Sequence, residues 1–108
     1  MLKVKDNVLY QKDFRISEDE HIYDYALRNA SEIDASTPIA VISVGNSYLE
    51  LNLTAAIIFE SVERNEDLKV IVDKFVKLFG LSIEKAEVSI ITFYQKLKDK
   101  GIIEEINS

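Results

Sequence analysis

The stretch "LNLTAAIIFESVE", residues 51–63, is where a strand-like run of residues gives way to a helix-like run. Asn52 and Thr54 stand at this junction, and the side-chain oxygen of either residue can accept a hydrogen bond from the free N–H groups of a helix's first turn. Apolar residues then recur at spacings of three and four, which is the pattern of a helix with one buried face. These residues are Ala55, Ile58, Phe59 and Val62. The junction therefore predicts that a strand ends and a helix begins here.

The residues before the junction, "PIAVISVGNSYLELN" (38–52), have the pattern of a β-hairpin. Gly45 and Asn46 form a two-residue loop with glycine first, which is typical of a type II′ turn. That turn pairs Val44 with Ser47, Ile42 with Leu49 and Ala40 with Leu51. The face predicted to lie on the core holds Ala40, Ile42, Val44, Leu49 and Leu51, and the other face holds Ile39, Val41, Ser43, Tyr48 and Glu50.

Two further helices are predicted after the junction helix. "RNED" (64–67) ends the first helix, and the next begins near Asp67 and ends at Gly80. Ser82 can cap a third helix, which Gly101 ends. The closing "IIEEI" (102–106) has the composition of either a strand or a tail. The apolar stripes are Leu68, Ile71, Val72, Phe75 and Phe79 in one helix, and Ala86, Ile90, Phe93 and Leu97 in the other.

The N-terminal third is harder to interpret. "VLY" (8–10) begins a strand-like stretch. Ser17 followed by Glu20 resembles a capping box, and Ile22, Ala26, Ala30 and Ile33 then recur as on one helix face. The weak alternation in "HIYDYAL" (21–27) also fits a strand, and the helix is the interpretation we adopt.

Together these elements predict an α+β fold that resembles a winged helix: a small antiparallel sheet, made of an N-terminal strand and the hairpin, followed by three helices. With 108 residues, the chain fits a single domain, 1–108. Within it, residues 1–37 hold the first strand and the helix-like segment, and residues 38–104 hold the hairpin and the three helices.

Composition and charge exclude several classes of function. There is no cysteine, so neither a disulfide nor a thiolate metal site can form. The net charge is −6, with 5 basic and 9 acidic residues in 1–52 and 8 and 10 in 53–108, so neither half favours nucleic acid or an anionic membrane. The N-terminus lacks the pattern of a signal peptide. We therefore expect a cytoplasmic protein with no nucleic-acid and no membrane partner.

Few residues could carry chemistry. Ser17, His21 and Asp24 would share a helix face as a nucleophile, a base and an orienting acid, but catalytic triads normally draw their members from separate elements. Glu20, His21 and Asp24 are loose metal-ligand candidates around the chain's one histidine. No glycine-rich phosphate loop is present. We expect no enzyme activity, no catalytic residues, no metal site and no cofactor.

A winged-helix arrangement raises the alternative of a DNA-binding transcription regulator. In such proteins the N-terminal residues of a recognition helix contact base edges. Here that position would hold Glu84 and Glu87, where Arg, Lys, Asn or Gln is the usual choice. The lysines at 96, 98 and 100 lie at the helix's other end. These charges disfavour DNA binding.

A series of short motifs runs through the hairpin and the three helices in a fixed order. Leu51-Asn52 is followed by Thr54-Ala55-Ala56 and Ile58-Phe59, then by Leu78-Phe79-Gly80, and finally by Ala86-Glu87, Phe93, Leu97 and Lys100-Gly101-Ile102. This set, over residues 38 to 104, resembles the PqqD family of RiPP recognition elements. Two features depart from the family's pattern. Segment 11–37 is longer than usual, and Phe59 stands where tryptophan is common.

The resemblance implies a function. Family members bind the leader part of a ribosomally made precursor peptide and present it to a modifying enzyme, often a radical S-adenosylmethionine protein. The leader is expected to add as a strand beside the hairpin's second strand, in the groove against the third helix. On this chain the peptide-binding residues would be Ser47, Tyr48, Leu49, Glu50 and Leu51 on the edge, and Val88, Ile91 and Gln95 on the helix.

Three functions therefore stay open at this point. The first is a peptide-binding adaptor in peptide modification, and the second is a winged-helix DNA-binding regulator. The third is an enzyme subunit whose site forms only with a partner. The acidic net charge, together with Glu84 and Glu87, favours the adaptor over the regulator.

Overall fold

The computed structural model describes residues 2–106, which form two small antiparallel sheets, four α-helices and one 3-10 helix. The strands are β1 (Leu2–Val4), β2 (Val8–Lys12), β3 (Ala40–Val44), β4 (Ser47–Leu51) and β5 (Ile103–Glu105). The helices are α1 (Ile22–Asn29), the 3-10 helix (Ala30–Glu32), α2 (Leu53–Glu63), α3 (Leu68–Phe79) and α4 (Ile83–Asp99). The predicted α+β class is confirmed. Within residues 2–106, no helix is long and apolar enough to cross a membrane.

The predicted hairpin is confirmed residue for residue. β3 and β4 pair with Ala40 opposite Leu51 and Val44 opposite Ser47, and Gly45 adopts the positive φ of 58° that a glycine-first turn needs. β2 pairs with the other side of β3, so the strand order is β2-β3-β4. One side chain differs from expectation. Ile39, predicted on the outer face, is buried in the core, against which Tyr25 and Ile33 also pack.

Helix α2 is the centre of the molecule. Asn52 caps it by accepting a hydrogen bond from the Ala55 N–H at 3.0 Å, and the Thr54 hydroxyl donates to the same Asn52 oxygen at 2.9 Å. Residues 53–62 are all buried except Thr54, so the helix is enclosed on all sides and not only along its predicted stripe. The polar pair at the junction therefore starts a core helix, with Asn52 as the cap.

The last two helices begin and end at the predicted residues. Asp67 caps α3 through the Val70 N–H, and Ser82 caps α4 through the Lys85 N–H. Gly80 ends α3 in the left-handed region, at φ 68°, where glycine carries no steric penalty. Local capping signals thus determine these helix boundaries.

A second sheet was not predicted. β1 and β5 form a two-stranded antiparallel pair in which Val4 lies opposite Ile103. The closing segment is therefore a strand rather than a tail, and the N-terminal segment contains a strand before "VLY". Ile103 is buried, and Leu2 and Val4 are half-buried against the core.

The N-terminal helix exists but does not begin where the capping-box pattern indicates. α1 starts at Ile22, whereas Ser17 and Glu20 belong to the preceding turn. The N–H of Ile22 donates instead to the Glu60 carboxylate at 2.6 Å, so α2 supplies the acceptor at the start of α1. Ile22 and Ala26 are fully buried, which places this segment in the same core as the three later helices.

A single lysine organises the turn that leads into α1. Lys12 Nζ donates to the main-chain oxygens of Ser17, Glu18 and Glu20, at 2.9, 2.9 and 2.6 Å. An ammonium group has three donors, so these bonds use all of them. The turn is therefore held against β2.

Candidate functional site

Strand β4 forms one edge of the three-stranded sheet, and within residues 2–106 no strand pairs with its other side. A two-residue hairpin loop is closed by a hydrogen-bonded pair, here Val44 and Ser47, and hydrogen-bonded pairs alternate with non-bonded pairs along the ladder. Tyr48 and Glu50 are therefore in non-bonded pairs. Their main-chain N–H and C=O groups point away from β3 and are available to another strand.

The side chains of β4 divide between two environments. Leu49 is half-buried and Leu51 is buried on the side of the helices, while Ser47, Tyr48 and Glu50 are exposed. Tyr48 is 72% exposed on the outer face, beside Ser43 of β3. Leu51 is enclosed, and its main-chain oxygen accepts a hydrogen bond from the Ile39 N–H at 2.8 Å, so its main chain is engaged with the segment before β3.

A cavity of about 420 Å³ lies beside this edge, between β4, α2 and α4. Its inner lining is apolar and comes from four different elements of the fold. Its rim is polar and carries one charge of each sign, on Glu50 and Lys96. The apolar lining includes Leu49, Ile58, Phe75, Leu81 and Phe93, and the polar rim also includes Ser36, Asn52 and Ser89.

Helix α4 presents different residues to this cavity than the three predicted from sequence. The cavity is lined by Ser89, Phe93 and Lys96, which follow at i, i+4 and i+7. Val88 and Ile91 lie on the outward side of α4, 65% and 51% exposed, and Gln95 is exposed near Ile91 at a separate shallow depression. The structure therefore brings Leu49 and Glu50 of β4 together with Ser89, Phe93 and Lys96, whereas Ser47, Tyr48 and Leu51 do not line the cavity. A peptide-binding role for Val88, Ile91 and Gln95 stays a prediction. A peptide-binding role for the β4 residues also stays a prediction.

The signal for the α4 residues that line the cavity was present in the sequence. Successive residues of a helix are rotated by about 100°, so Ser89 and Lys96 fall on one flank of the stripe formed by Ala86, Ile90 and Leu97. The sequence does not indicate which flank of this stripe faces the hairpin, because that depends on how α4 packs in the folded protein.

A second cavity, of about 500 Å³, lies at the opposite edge of the sheet beside β2. Its lining is mixed: Tyr10, Phe14 and Ile16 lie beside the charged residues Lys12, Asp13, Glu18, Glu60 and Glu63. Burial and then the neighbouring Glu60 raise the pKa of Glu63. The Tyr10 hydroxyl is buried here without a hydrogen-bond partner in the described part of the chain, and burial followed by the Glu60 charge raises its pKa.

The candidate triad does not assemble. Ser17 lies in the turn before α1, where its hydroxyl accepts from the Asp19 N–H at 3.4 Å, and His21 immediately precedes the helix. Only Asp24 belongs to α1, so the three side chains do not share a helix face as the sequence pattern suggested. Across residues 2–106, no three His, Asp or Glu side chains form a group that could hold a metal ion.

The start of α4 is acidic, as its sequence indicates. Glu84 and Glu87 are both exposed in the first turns of the helix. Their carboxylates would face phosphate groups if this helix entered a DNA groove, and like charges repel there. The start of α4 therefore gives no support for DNA binding.

Comparisons with known proteins agree with this architecture. No curated protein sequence matches the chain. A solved structure described as "TbiB1 in Complex with the TbiA(beta) Leader Peptide" is similar, with a TM-score of 0.66 and 17% sequence identity, over 98% of this chain and 99% of that one. At this identity the likeness shows a shared fold. The sequence model of the family described as "Coenzyme PQQ synthesis protein D (PqqD)" matches residues 39–103, which is more than half of the chain. The chain belongs to the PqqD family.

Proposed function

We propose that this protein is an adaptor that binds the leader of a ribosomally made precursor peptide by strand addition at β4. The observation that carries the proposal is the unpaired β4 edge beside an apolar cavity. The outward main-chain groups of Tyr48 and Glu50 offer two donors and two acceptors to an incoming strand. A peptide paired there would direct alternate side chains into the cavity, which supplies selectivity.

The comparisons support this reading. The chain is a PqqD-family member, and the similar TbiB1 structure is described as a complex with a leader peptide. We further propose that the protein acts in the cytoplasm and has no chemistry of its own, and that it delivers the peptide to a modifying enzyme of the radical S-adenosylmethionine class. Tethering a substrate in this way raises its local concentration at the enzyme.

Calorimetric titration tests the proposal directly. The ligand is the synthetic leader of the precursor peptide encoded beside this chain's gene, and a scrambled peptide of the same composition is the control. We expect a dissociation constant in the micromolar to submicromolar range, roughly −8 to −10 kcal/mol. The scrambled peptide should bind far more weakly, because alternate side chains must enter the cavity. Absence of leader binding at about 100 μM, a concentration at which even weak strand addition is measurable, would overturn the adaptor function.

A further inference from the structure

A tight turn, residues 34–38, contributes Ser36 and Pro38 to the lining of the cavity beside β4. In this turn the N–H and hydroxyl of Ser36 both donate to Asp34 Oδ1, at 2.9 and 2.7 Å, and the Thr37 N–H donates to the Asp34 main-chain oxygen at 3.0 Å. Pro38 follows and limits the backbone further, because its ring restricts φ. The turn is therefore held in one shape although it is exposed.

The position of the turn relative to β4 follows from the strand register. Ala40 pairs with Leu51, and the Ile39 N–H donates to the Leu51 oxygen at 2.8 Å. The residues just before β3 consequently pass the C-terminal end of β4. Ser36 and Pro38 line the same cavity as Leu49, Phe93 and Lys96. Pro38 has no N–H group and cannot extend a strand ladder by donating to it.

We propose that the turn Asp34–Pro38 is the end wall of the leader-binding groove, and that Ser36 sets the size of the leader side chain that enters the cavity. This inference rests on the proposed function of the β4 edge. A strand added along Tyr48–Glu50 would run toward this wall, and the wall would limit how far the strand can shift. A one-residue shift would send the opposite set of side chains into the cavity, so an end wall also specifies the register.

The chemistry of the cavity indicates the class of side chain selected. Its inner lining is apolar, and its two charged rim residues, Glu50 and Lys96, are of opposite sign. A volume of about 420 Å³ accommodates a large side chain. We therefore expect the leader to insert one large apolar residue here. The small Ser36 leaves space for it, and a bulky residue at position 36 would occupy that space.

The test changes the size of residue 36 in the protein and, separately, the size of the inserted residue in the leader. Ser36→Trp and the smaller Ser36→Leu should weaken binding of the natural leader, by about tenfold or more for tryptophan, because the added side chain competes with the leader residue for the same space. Ser36→Ala, which removes the hydroxyl without adding bulk, should stay within about twofold. Ser31→Trp is the matched control, since Ser31 is exposed in the 3-10 helix and does not line the cavity. Circular dichroism confirms the fold of each variant.

An alanine scan of the leader supplies the second half. The leader position at which alanine causes the largest loss of affinity identifies the inserted residue. A leader that carries alanine at this position should bind Ser36→Trp and Ser36→Leu as tightly as it binds the wild-type protein. Folded variants at position 36 that bind the natural leader as the wild type does would overturn the inference and leave the adaptor function standing. Equal weakening of every leader variant would also overturn it, because size selection requires coupling between the two positions. Failure of the wild-type protein to bind any leader would overturn both.

Discussion

The two edges of the three-stranded sheet are built for opposite purposes. At the β2 edge, the turn that follows the strand is held in place by Lys12, which donates to the main-chain oxygens of Ser17, Glu18 and Glu20. The β4 edge has no such cover in the described residues and borders an apolar cavity. The cavity at the β2 edge holds several carboxylates among its lining residues, including the largely buried Glu60.

This difference between the β2 and β4 edges indicates which of them can accept an added strand. A strand that added at β2 would bring apolar side chains against the carboxylates of Glu60 and Glu63, and that costs free energy. A strand that added at β4 would satisfy free main-chain groups and fill an apolar cavity. We therefore expect changes at the β2 edge to affect stability, and changes at the β4 edge to affect binding.

The largest effect is expected at the β2 edge. Glu60→Ala leaves the buried Ile22 N–H without its acceptor and should lower the free energy of unfolding by about 2 kcal/mol. Glu60→Gln keeps a carbonyl oxygen at the same place and should lower the free energy of unfolding by less than half as much as Glu60→Ala does. Urea denaturation measures both, and leader affinity of either variant should stay within about twofold of wild type. An equal loss for the two variants would show that the hydrogen bond to Ile22 is not the cause.

The next effect is expected at the β4 edge. Glu50→Pro removes an N–H that points away from β3, and should weaken leader binding about tenfold, with Glu50→Ala as the side-chain control. Leu49→Pro removes an N–H that pairs with Ile42 and should instead disrupt the hairpin. Calorimetry and circular dichroism separate the two outcomes. If folded Glu50→Pro binds the leader as tightly as Glu50→Ala does, the peptide does not pair with this edge.

The smallest effect concerns the pH dependence of stability at the β2 edge. Burial and the charge of Glu60 raise the pKa of Glu63 above its usual value of 4.5. A carboxyl that holds its proton more tightly when folded contributes stability below pH 4.5, and that stability is lost as the pH rises through the raised pKa. Because the Glu63 side chain is exposed and solvent screens its charge, Glu63→Gln should raise Tm at pH 7 by no more than about 1 °C and leave it unchanged at pH 4.

Glu104→Gln, at an exposed position of β5, serves as the control for that experiment. It should show no such difference between the two pH values. A Glu63→Gln variant whose Tm relative to wild type is the same at pH 4 and pH 7 would contradict the proposed cause.

The parts of the fold that local signals specify could be predicted from the sequence. The register of β3 and β4 follows from the Gly45-Asn46 turn and alternating side chains. The starts of α2, α3 and α4 follow from Asn52, Asp67 and Ser82, since a cap bonds to N–H groups only three residues away. The β4 half of the candidate site was predictable for the same reason.

The parts that depend on distant residues could not be predicted. The start of α1 is set by Glu60, 38 residues further along the chain, and nothing near Ile22 indicates it. β1 and β5 are three residues each and are stabilised by pairing across almost the whole chain. The α4 half of the site depends on which flank of the helix faces the hairpin. The role of Ser36 likewise becomes visible only once the chain before β3 is seen to pass the end of β4.

The enclosure of α2 has a consequence for how relatives of this protein can diverge. A helix buried on all sides tolerates few substitutions, because almost every change creates a void or a clash. Its sequence can therefore change little, even though Ala55 and Ile58 of this helix line the cavity. Ser36 lies outside residues 39–103, the segment that the family model matches. Two proteins could share this central helix and yet serve different precursor peptides, since the residues free to vary are those at the mouth of the cavity.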